Sequence, residues 1–155
     1  MEIIRLTADD ERISDALELA ERVFMQFEAP IFTAEGTDNF LRYIKGKKLA
    51  DKLNDGSAAV YICISEGIIC SMLCICDKNH ISLCFTESGY HRKGMGSALL
   101  EAAFADNNSD SYTVNASPFG VNFYRKHGFV PTDMELMENG IIYTPMIKIS
   151  ERDRY

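Results

Sequence analysis

The stretch CFTESGYHRKGMGSALL, residues 84–100, contains two glycines, Gly94 and Gly96, at the junction between a predicted strand and a predicted helix. Glycine at such a junction permits a positive φ and a close approach of the backbone to a ligand, and the first amides of the helix lack intrahelical partners. Two familiar phosphate loops are excluded, because the Walker pattern is missing and Leu99 occupies the third glycine position of G-x-G-x-x-G. The glycines therefore serve either a phosphate site of another kind or a tight turn.

Apolar patterns on both sides of this stretch predict the remaining elements. Thr7 or Asp9 offers an N-cap for the first helix, which Pro30 ends. Hairpin turns are predicted at 66–67 and around 138–140. The predicted strands are 1–7, 58–65, 68–76, 81–86, 112–115 and 141–149, and the predicted helices are 13–27, 35–48, 94–104 and 118–126.

This order of elements predicts a single α+β domain over residues 1–155. Three consecutive antiparallel strands are expected in the middle of the chain. The two crossover helices of the second half imply some parallel pairing, so the central sheet is expected to be mixed, mostly antiparallel and flanked by helices.

Composition excludes several classes of protein. The chain has 155 residues, 46% of them apolar, and a net charge of −7, so we expect a well-formed core and no broad nucleic-acid surface. No basic leader followed by an apolar run is present, and no apolar run approaches membrane-spanning length, so we expect a cytoplasmic protein that binds neither nucleic acid nor membrane.

Five cysteines lie in apolar, strand-like segments, which favours reduced thiols over disulfides. Cys70, Cys74, Cys76 and His80 would share one strand face if the register were unbroken, which makes a metal site an alternative. The C-x-x-C pairs usual for structural zinc are missing, however, and Ile and Leu flank these cysteines. We therefore predict buried apolar side chains and no metal.

Positive charge is confined to two pairs between residues 79 and 147. Arg92 and Lys93 stand beside Gly94, and Arg125 and Lys126 stand in the later short helix. The two pairs could converge on one polyanionic ligand, or the second pair could simply favour the negative C-terminal end of its helix.

Two motifs together resemble those of a known family. The segment 90–100 (YHRKGMGSALL) resembles the acetyl-CoA signature [QR]-x-x-G-x-[GA] of the GNAT superfamily of N-acetyltransferases. Asn115-Ala116-Ser117 and the later FYRKHGF at 123–129 resemble the superfamily's strand asparagine and its F-Y-x-x-x-G-F helix end. The element order matches over essentially the whole chain, and one departure is His91, which stands where Gln or Arg is usual.

The resemblance implies a GNAT-like sheet with a splayed pair of parallel strands, and acetyl-CoA as cosubstrate. The backbone amides of residues 92–97 would hold the pyrophosphate, and the pantetheine arm would pair with the backbone near Phe85 and Thr86. Asn115 would add a side-chain contact from the neighbouring strand, and Arg92, Lys93 and Lys126 would face the charged adenosine end. The implied cofactor-binding residues are Phe85, Thr86, His91, Arg92, Lys93, Gly94, Met95, Gly96, Ser97, Asn115 and Lys126.

The resemblance also implies a reaction, in which a primary amine attacks the thioester directly in a ternary complex. Tyr124 matches the superfamily's general acid for the departing thiolate, and a phenol with an ordinary pKa near 10 suits that role, although aromatic core packing is the alternative. The general base is left open among Glu28, Glu87, His80 and water. Segment 27–32 and Tyr43 are expected to bound the acceptor pocket.

The acceptor is expected to be a small-molecule or peptide amine, and the protein a monomer or a homodimer. The acidic surplus makes a cationic acceptor plausible. Two other functions remain open at this point. The chain could be a non-catalytic acyl-CoA sensor or interaction module on the same fold, or an unrelated α+β domain whose glycines are structural.

Overall fold

Eight strands build the sheet in a computed structural model, which describes residues 1–150; the last five residues of the predicted 1–155 domain lie outside this range. The strands are β1 (Glu2–Leu6), β2 (Ala58–Ser65), β3 (Ile68–Cys76), β4 (His80–Thr86), β5 (Ser111–Ala116), β6 (Val130–Pro131), β7 (Leu136–Glu138) and β8 (Ile141–Ile149). Their order is β1-β2-β3-β4-β5-β8-β6, and β7 pairs with β8. The predicted mixed, mostly antiparallel α+β architecture is thus confirmed.

Helices cover both faces of this sheet. The α-helices are α1 (Arg12–Val23), α2 (Ala34–Lys45), α3 (Lys47–Asp55), α4 (Met95–Asp106) and α5 (Val121–Lys126). α1, α2 and α3 enclose one core with β1, β2, β3 and β4, and α4 and α5 enclose the other on the opposite face. None of the helices within residues 1–150 is long and apolar enough to cross a membrane.

The predicted end of the second helix, 35–48, was wrong. α2 stops at Lys45, and Gly46 adopts an extended conformation (φ −86°, ψ 163°) that separates it from α3. Glycine is a poor helix former, so the chain breaks there. α3 was not predicted because most of its residues are polar, and burial of Leu49 and Leu53 is what attaches it to the core.

The first helix also differs from its prediction at both ends. Neither Thr7 nor Asp9 caps it; the carboxylate of Asp10 instead accepts a hydrogen bond from the Arg12 amide at 2.9 Å. The α-helix stops at Val23, and the chain continues as one π-helical turn, Phe24–Glu28.

The two later helices were each predicted with wrong boundaries. α4 runs over residues 95–106 rather than 94–104, because Gly94 is its left-handed N-cap. α5 covers 121–126 rather than 118–126, so Pro118 lies before the helix and not in its first turn.

β4 and β5 form the one parallel pair among the described strands, and they soon separate. Only His80 with Thr113 and Ile81 with Val114 are paired between them. Beyond these residues β4 keeps its antiparallel partner β3 but has no partner on the β5 side. The splayed parallel pair is therefore present, and it opens the middle of the sheet.

A bulge in β3 changes which face the cysteines share. Cys63 pairs with Ser71 and Ile64 pairs with Ile69, so Cys70 is the extra residue. Cys70 therefore packs in the α4-side core, whereas Cys74 and Cys76 pack in the α1-side core. No group of three His, Cys, Asp or Glu side chains suited to a metal ion occurs within the described range.

Candidate active site

A cleft of about 1520 Å³ passes through the sheet where β4 and β5 separate. On one side, here called the α4 half, it is lined by residues 91–92 and 94–97, by the end of β5 and by α5. On the other side, the α2 half, it is lined by the end of α1, by α2 and α3 and by the β7–β8 hairpin. Because one cleft joins both faces, two ligands bound from opposite faces can meet in the gap.

The start of α4 forms the floor of the α4 half. Gly94 stands at the N-cap with φ +80°, and a Cβ on this residue would meet no atom within 4 Å. Arg92, two residues earlier, also has a positive φ of +63°. The first amides of a helix have no intrahelical partner and carry the positive end of its dipole. This turn lines the cleft, so its N–H groups are suited to a phosphate group.

Ten of the eleven predicted cofactor-binding residues line the cleft. The exception is Lys93, whose ammonium lies 5.2 Å from the centroid of the Tyr90 ring. Met95 lines it while its side chain is buried in the core, so this residue has mainly its backbone to offer a ligand. The ten are Phe85, Thr86, His91, Arg92, Gly94, Met95, Gly96, Ser97, Asn115 and Lys126.

The two glycines of the opening stretch have different structural roles. Gly94 needs its positive φ, whereas Gly96 lies inside the helix against Phe123. A Cβ on Gly96 would lie 3.0 Å from two atoms of the Phe123 ring. Gly96 therefore lets α4 approach α5 closely, and this packing role does not depend on a ligand.

His91 is turned back toward the end of β4. Its Nε2 donates a hydrogen bond to the carbonyl oxygen of Thr86 at 2.7 Å, and its ring centroid lies 5.5 Å from that of Phe27. The Thr86 hydroxyl in turn lies 2.8 Å from the Ser71 hydroxyl. His91, which stands where Gln or Arg is usual, thus connects the loop before α4 to the end of β4 and to the turn that follows α1.

The start of α4 is also held to the end of α5. The Ser97 hydroxyl lies 2.9 Å from His127 Nε2, and the Lys148 ammonium donates to the His127 carbonyl. Burial lowers the pKa of His127, and the charge of Lys148 lowers it further. The imidazole is therefore neutral at pH 7, where it can keep this bond to Ser97.

Tyr124 lies at the centre of the cleft, where the two halves meet. Its side chain is 6% exposed, and its hydroxyl lies close enough to the Cys84 thiol for each group to affect the ionisation of the other. Burial raises the pKa of Tyr124 well above its ordinary value, and it raises the pKa of Cys84 to about 12. Both groups therefore keep their protons at neutral pH.

Glu28 is a buried carboxyl group on the same central gap. It is 8% exposed, it lies near enough to Tyr124 to influence the ionisation of that phenol, and the nearby Ser117 hydroxyl favours its charged form. The π-helical turn orients this residue, since the Ala29 amide donates to the Phe24 carbonyl five residues earlier. Burial raises the pKa of Glu28 above its ordinary value, which suits a group that must take up a proton.

The other two base candidates lie elsewhere. Glu87 forms an ion pair with Arg22 at 2.6 Å and does not line the cleft. His80 lines the far end of the α2 half, with its Nδ1 2.8 Å from the Thr113 hydroxyl. A strand rises about 3.3 Å per residue, so His80 is roughly 13 Å along β4 from Cys84. The structure thus brings Glu28, of these three, next to Tyr124.

Cys84 and Ser117 belong to the centre of the site although the sequence reasoning gave them no role. Each lies near the end of one splayed strand, Cys84 in β4 and Ser117 just after β5. A small polar side chain at the end of either member of a parallel pair is the signal that could have identified them.

The α2 half has aromatic walls. The predicted segment 27–32 contributes Phe27, Glu28 and Phe32 to its lining, and Tyr43 lines it from α2. Phe40 stacks on the buried Phe24 with their ring centroids 3.7 Å apart.

Comparison with protein families finds a match over most of the chain. The family described as "Acetyltransferase (GNAT) domain" matches residues 28–150. No curated protein matches the chain at a significant level.

Solved structures share this fold at low sequence identity. The GCN5-related N-acetyltransferase from Rhodopseudomonas palustris is 18% identical, over 96% of this chain and 95% of that one, with a TM-score of 0.77. The PaiA N-acetyltransferase from Thermoplasma acidophilum, solved in complex with coenzyme A, is 16% identical over 97% and 100%, with a TM-score of 0.75. Tetrahymena GCN5 is 13% identical over 96% of each chain, with a TM-score of 0.66.

Proposed function

The chain belongs to the GNAT acetyltransferase family, and on that premise we propose that it transfers an acetyl group from acetyl-CoA to the primary amine of a small molecule or peptide. The observation that carries this proposal is the pair of Glu28 and Tyr124 at the centre of one cleft. A proton acceptor and a proton donor are thereby available where ligands from both faces of the sheet meet.

The α4 half has the chemistry needed to hold acetyl-CoA. The free amides of residues 95–97 and the exposed cations Arg92 and Lys126 suit the phosphates, and the open space at Gly94 permits close approach. The unpaired β5-facing edge of β4 leaves backbone groups near Phe85 for an amide-containing arm. Acetyl-CoA, when bound, supplies the acetyl group as an activated thioester.

Glu28 and Tyr124 divide the proton transfers between them. Glu28 takes a proton from the substrate ammonium, so that a neutral amine nitrogen can form the new bond to the acetyl carbon. Tyr124 donates its proton to the departing sulfur as the carbon–sulfur bond breaks. The second proton of the nitrogen returns to Tyr124 when the amide forms, and Glu28 releases its proton to solvent. The net products are the acetamide, the CoA thiol and one proton.

Replacing Tyr124 with Phe tests this mechanism, because it removes only the hydroxyl. We expect kcat for acetyl transfer to fall at least tenfold, with the affinity for CoA unchanged by calorimetry. Turnover is followed as thiol release from acetyl-CoA over a panel of polyamines, aminoglycosides, amino acids, peptide N-termini and compact monoamines. Full turnover of this variant, under conditions where chemistry limits the rate, would rule out the proposed role of Tyr124.

Tyr61→Phe is the matched control. It removes a buried hydroxyl that donates to Asp106 at 2.8 Å, and this residue does not line the cleft. We expect it to lower stability and leave kcat unchanged. If the wild-type protein binds CoA and turns over none of the amines, the chain is an acyl-CoA-binding module; if it does not bind CoA either, the glycines are structural.

A further inference from the structure

The α2 half presents aromatic surface that is only half buried in the protein alone. Phe40 is held face to face on Phe24, with 5° between the ring planes, and the Phe85 ring meets it edge-on at 5.8 Å. Rings fixed in this way offer a preformed apolar wall, and a ligand that covers them gains free energy from their burial. The half-buried rings lining this half, here called the aromatic wall, are those of Phe27, Phe32, Phe40, Tyr43 and Phe85.

The charges in the α2 half suit a ligand with one positive charge. Its lining holds Glu28, Asp77 and Glu138 against Lys48 and Lys52, so these side chains sum to one negative charge, and Glu28 is the buried carboxyl group among them. Toward the far end of the cleft, Asp77 is already paired with Lys52 at 2.8 Å, and Lys48 adds another cation. Lys48 and Lys52 would repel a second ammonium group at that end, and the exposed Glu138 of the hairpin is the remaining carboxylate of this lining, so the charges disfavour a polyamine.

The β7–β8 hairpin is joined to α2 across this half. A Cβ on Gly36, in the first turn of α2, would overlap the Gly140 carbonyl oxygen, so the two backbones are in direct contact. Asn39 also donates from its side-chain amide to the Asn139 carbonyl at 3.0 Å. Because α2 and the hairpin form two walls of the cleft, their contact closes the cleft where they meet, which disfavours an extended polypeptide as acceptor.

From these three observations we propose that the acceptor is a compact amine with a single ammonium group on an aromatic or similarly bulky apolar body. The ammonium lies at Glu28 and the body lies on the aromatic wall. This inference rests on the proposed acetyl transfer, and it narrows the acceptor by excluding polyamines and peptide segments.

An acceptor comparison tests the inference, with 2-phenylethylamine, ethylamine, spermidine and a lysine-containing tetrapeptide as probes. We expect kcat/KM for 2-phenylethylamine to exceed that of each other probe at least tenfold. Calorimetry on the CoA-saturated protein is expected to give the same order of affinity, which makes the result independent of turnover. A preference for spermidine or for the tetrapeptide would overturn the inference, and so would equal rates for 2-phenylethylamine and ethylamine.

Substitutions test whether the preference for 2-phenylethylamine depends on the rings of the aromatic wall. Phe40→Leu keeps most of the packing on Phe24 and is expected to reduce the ratio of kcat/KM for 2-phenylethylamine over ethylamine at least threefold. Phe104→Leu removes a half-buried ring that packs on Tyr112 and does not line the cleft, and it is expected to keep the ratio. An unchanged ratio in a folded Phe40→Leu protein would contradict the placement of the body on this wall. If acetyl-CoA binds and no amine reacts, the proposed function fails instead, and the two failures are thus distinct.

Discussion

At the scale of single residues, Glu28 is a carboxyl group whose environment opposes its charge. It is 8% exposed, the Ser117 hydroxyl lies near it, and burial raises its pKa. A carboxyl group destabilised in its charged form lowers the stability of the fold at neutral pH and is better able to accept a proton. The same burial thus makes Glu28 costly for folding and useful for the proposed chemistry.

Glu28→Gln is expected to stabilise the protein at neutral pH while it lowers activity. Since the folded-state pKa of Glu28 lies above its ordinary value, the folded protein holds this proton more tightly than the unfolded chain, and its stability falls as pH rises through that window. The gain in Tm from Gln is therefore expected to be larger at pH 8 than at pH 4.5, as measured by thermal unfolding.

Glu87→Gln serves as the control for this experiment. Its carboxylate is paired with Arg22 at the surface, and loss of an exposed pair changes stability by about 0–1 kcal/mol. If the gain in Tm from Glu28→Gln were the same at pH 4.5 and at pH 8, it would contradict the argument that burial raises the pKa of Glu28.

The sequence indicated some of these residues and not others, for identifiable reasons. Tyr124 could be predicted because it belongs to the motif FYRKHGF, whose residues are consecutive in the sequence. Glu28 could be proposed only as one of several bases, because its proximity to Tyr124 depends on how two distant helices pack. Cys84 had no distinguishing pattern, since a cysteine in an apolar strand is usually an ordinary core residue.

At the scale of elements, the end of α1 shows what periodicity cannot predict. An apolar pattern spaced for an α-helix continues to Phe27, yet the chain forms a π-helical turn over Phe24–Glu28. The extra residue in such a turn rotates everything that follows it, including Glu28. No residue type marks this change in the sequence, because it follows from packing, and such turns are often found at functional sites.

Two glycines make it possible to separate a phosphate-binding role of the start of α4 from the effect of backbone strain. Gly94 and Gly89 both have positive φ, +80° and +90°, and a Cβ on either would meet no atom within 4 Å. Alanine at each position is expected to cost about 1 kcal/mol through the left-handed conformation. Only Gly94→Ala places a methyl group in the cleft, so we expect it alone to weaken CoA binding, at least tenfold by calorimetry.

Gly89→Ala is the matched control and is expected to keep the CoA affinity while it loses a similar amount of stability. Equal CoA affinities for both variants would show that the start of α4 does not hold the phosphates. Substitution of Gly96 is less informative, since any side chain there also displaces Phe123.

At the scale of the whole molecule, the opening between β4 and β5 determines how ligands can be arranged. The topology was predictable, because hairpin turns and crossover helices leave clear patterns in the sequence. The extent of the opening was not predictable from pairing rules alone. It follows from a parallel ladder that ends after Ile81 and Val114, while helices on both faces hold the strand ends apart.

One through-going cleft predicts that both substrates bind together before reaction. Initial rates measured against acetyl-CoA at several fixed amine concentrations are therefore expected to give intersecting double-reciprocal lines. The competing route is an acetylated enzyme, and Cys84 is the nucleophile placed for it, beside Tyr124. Burial raises the pKa of Cys84 to about 12, so its thiol stays protonated and unreactive at pH 7. Parallel lines together with an acetylated Cys84 peptide in the mass spectrum would establish the covalent route, whereas Cys84→Ala with at least a tenth of wild-type turnover would exclude it.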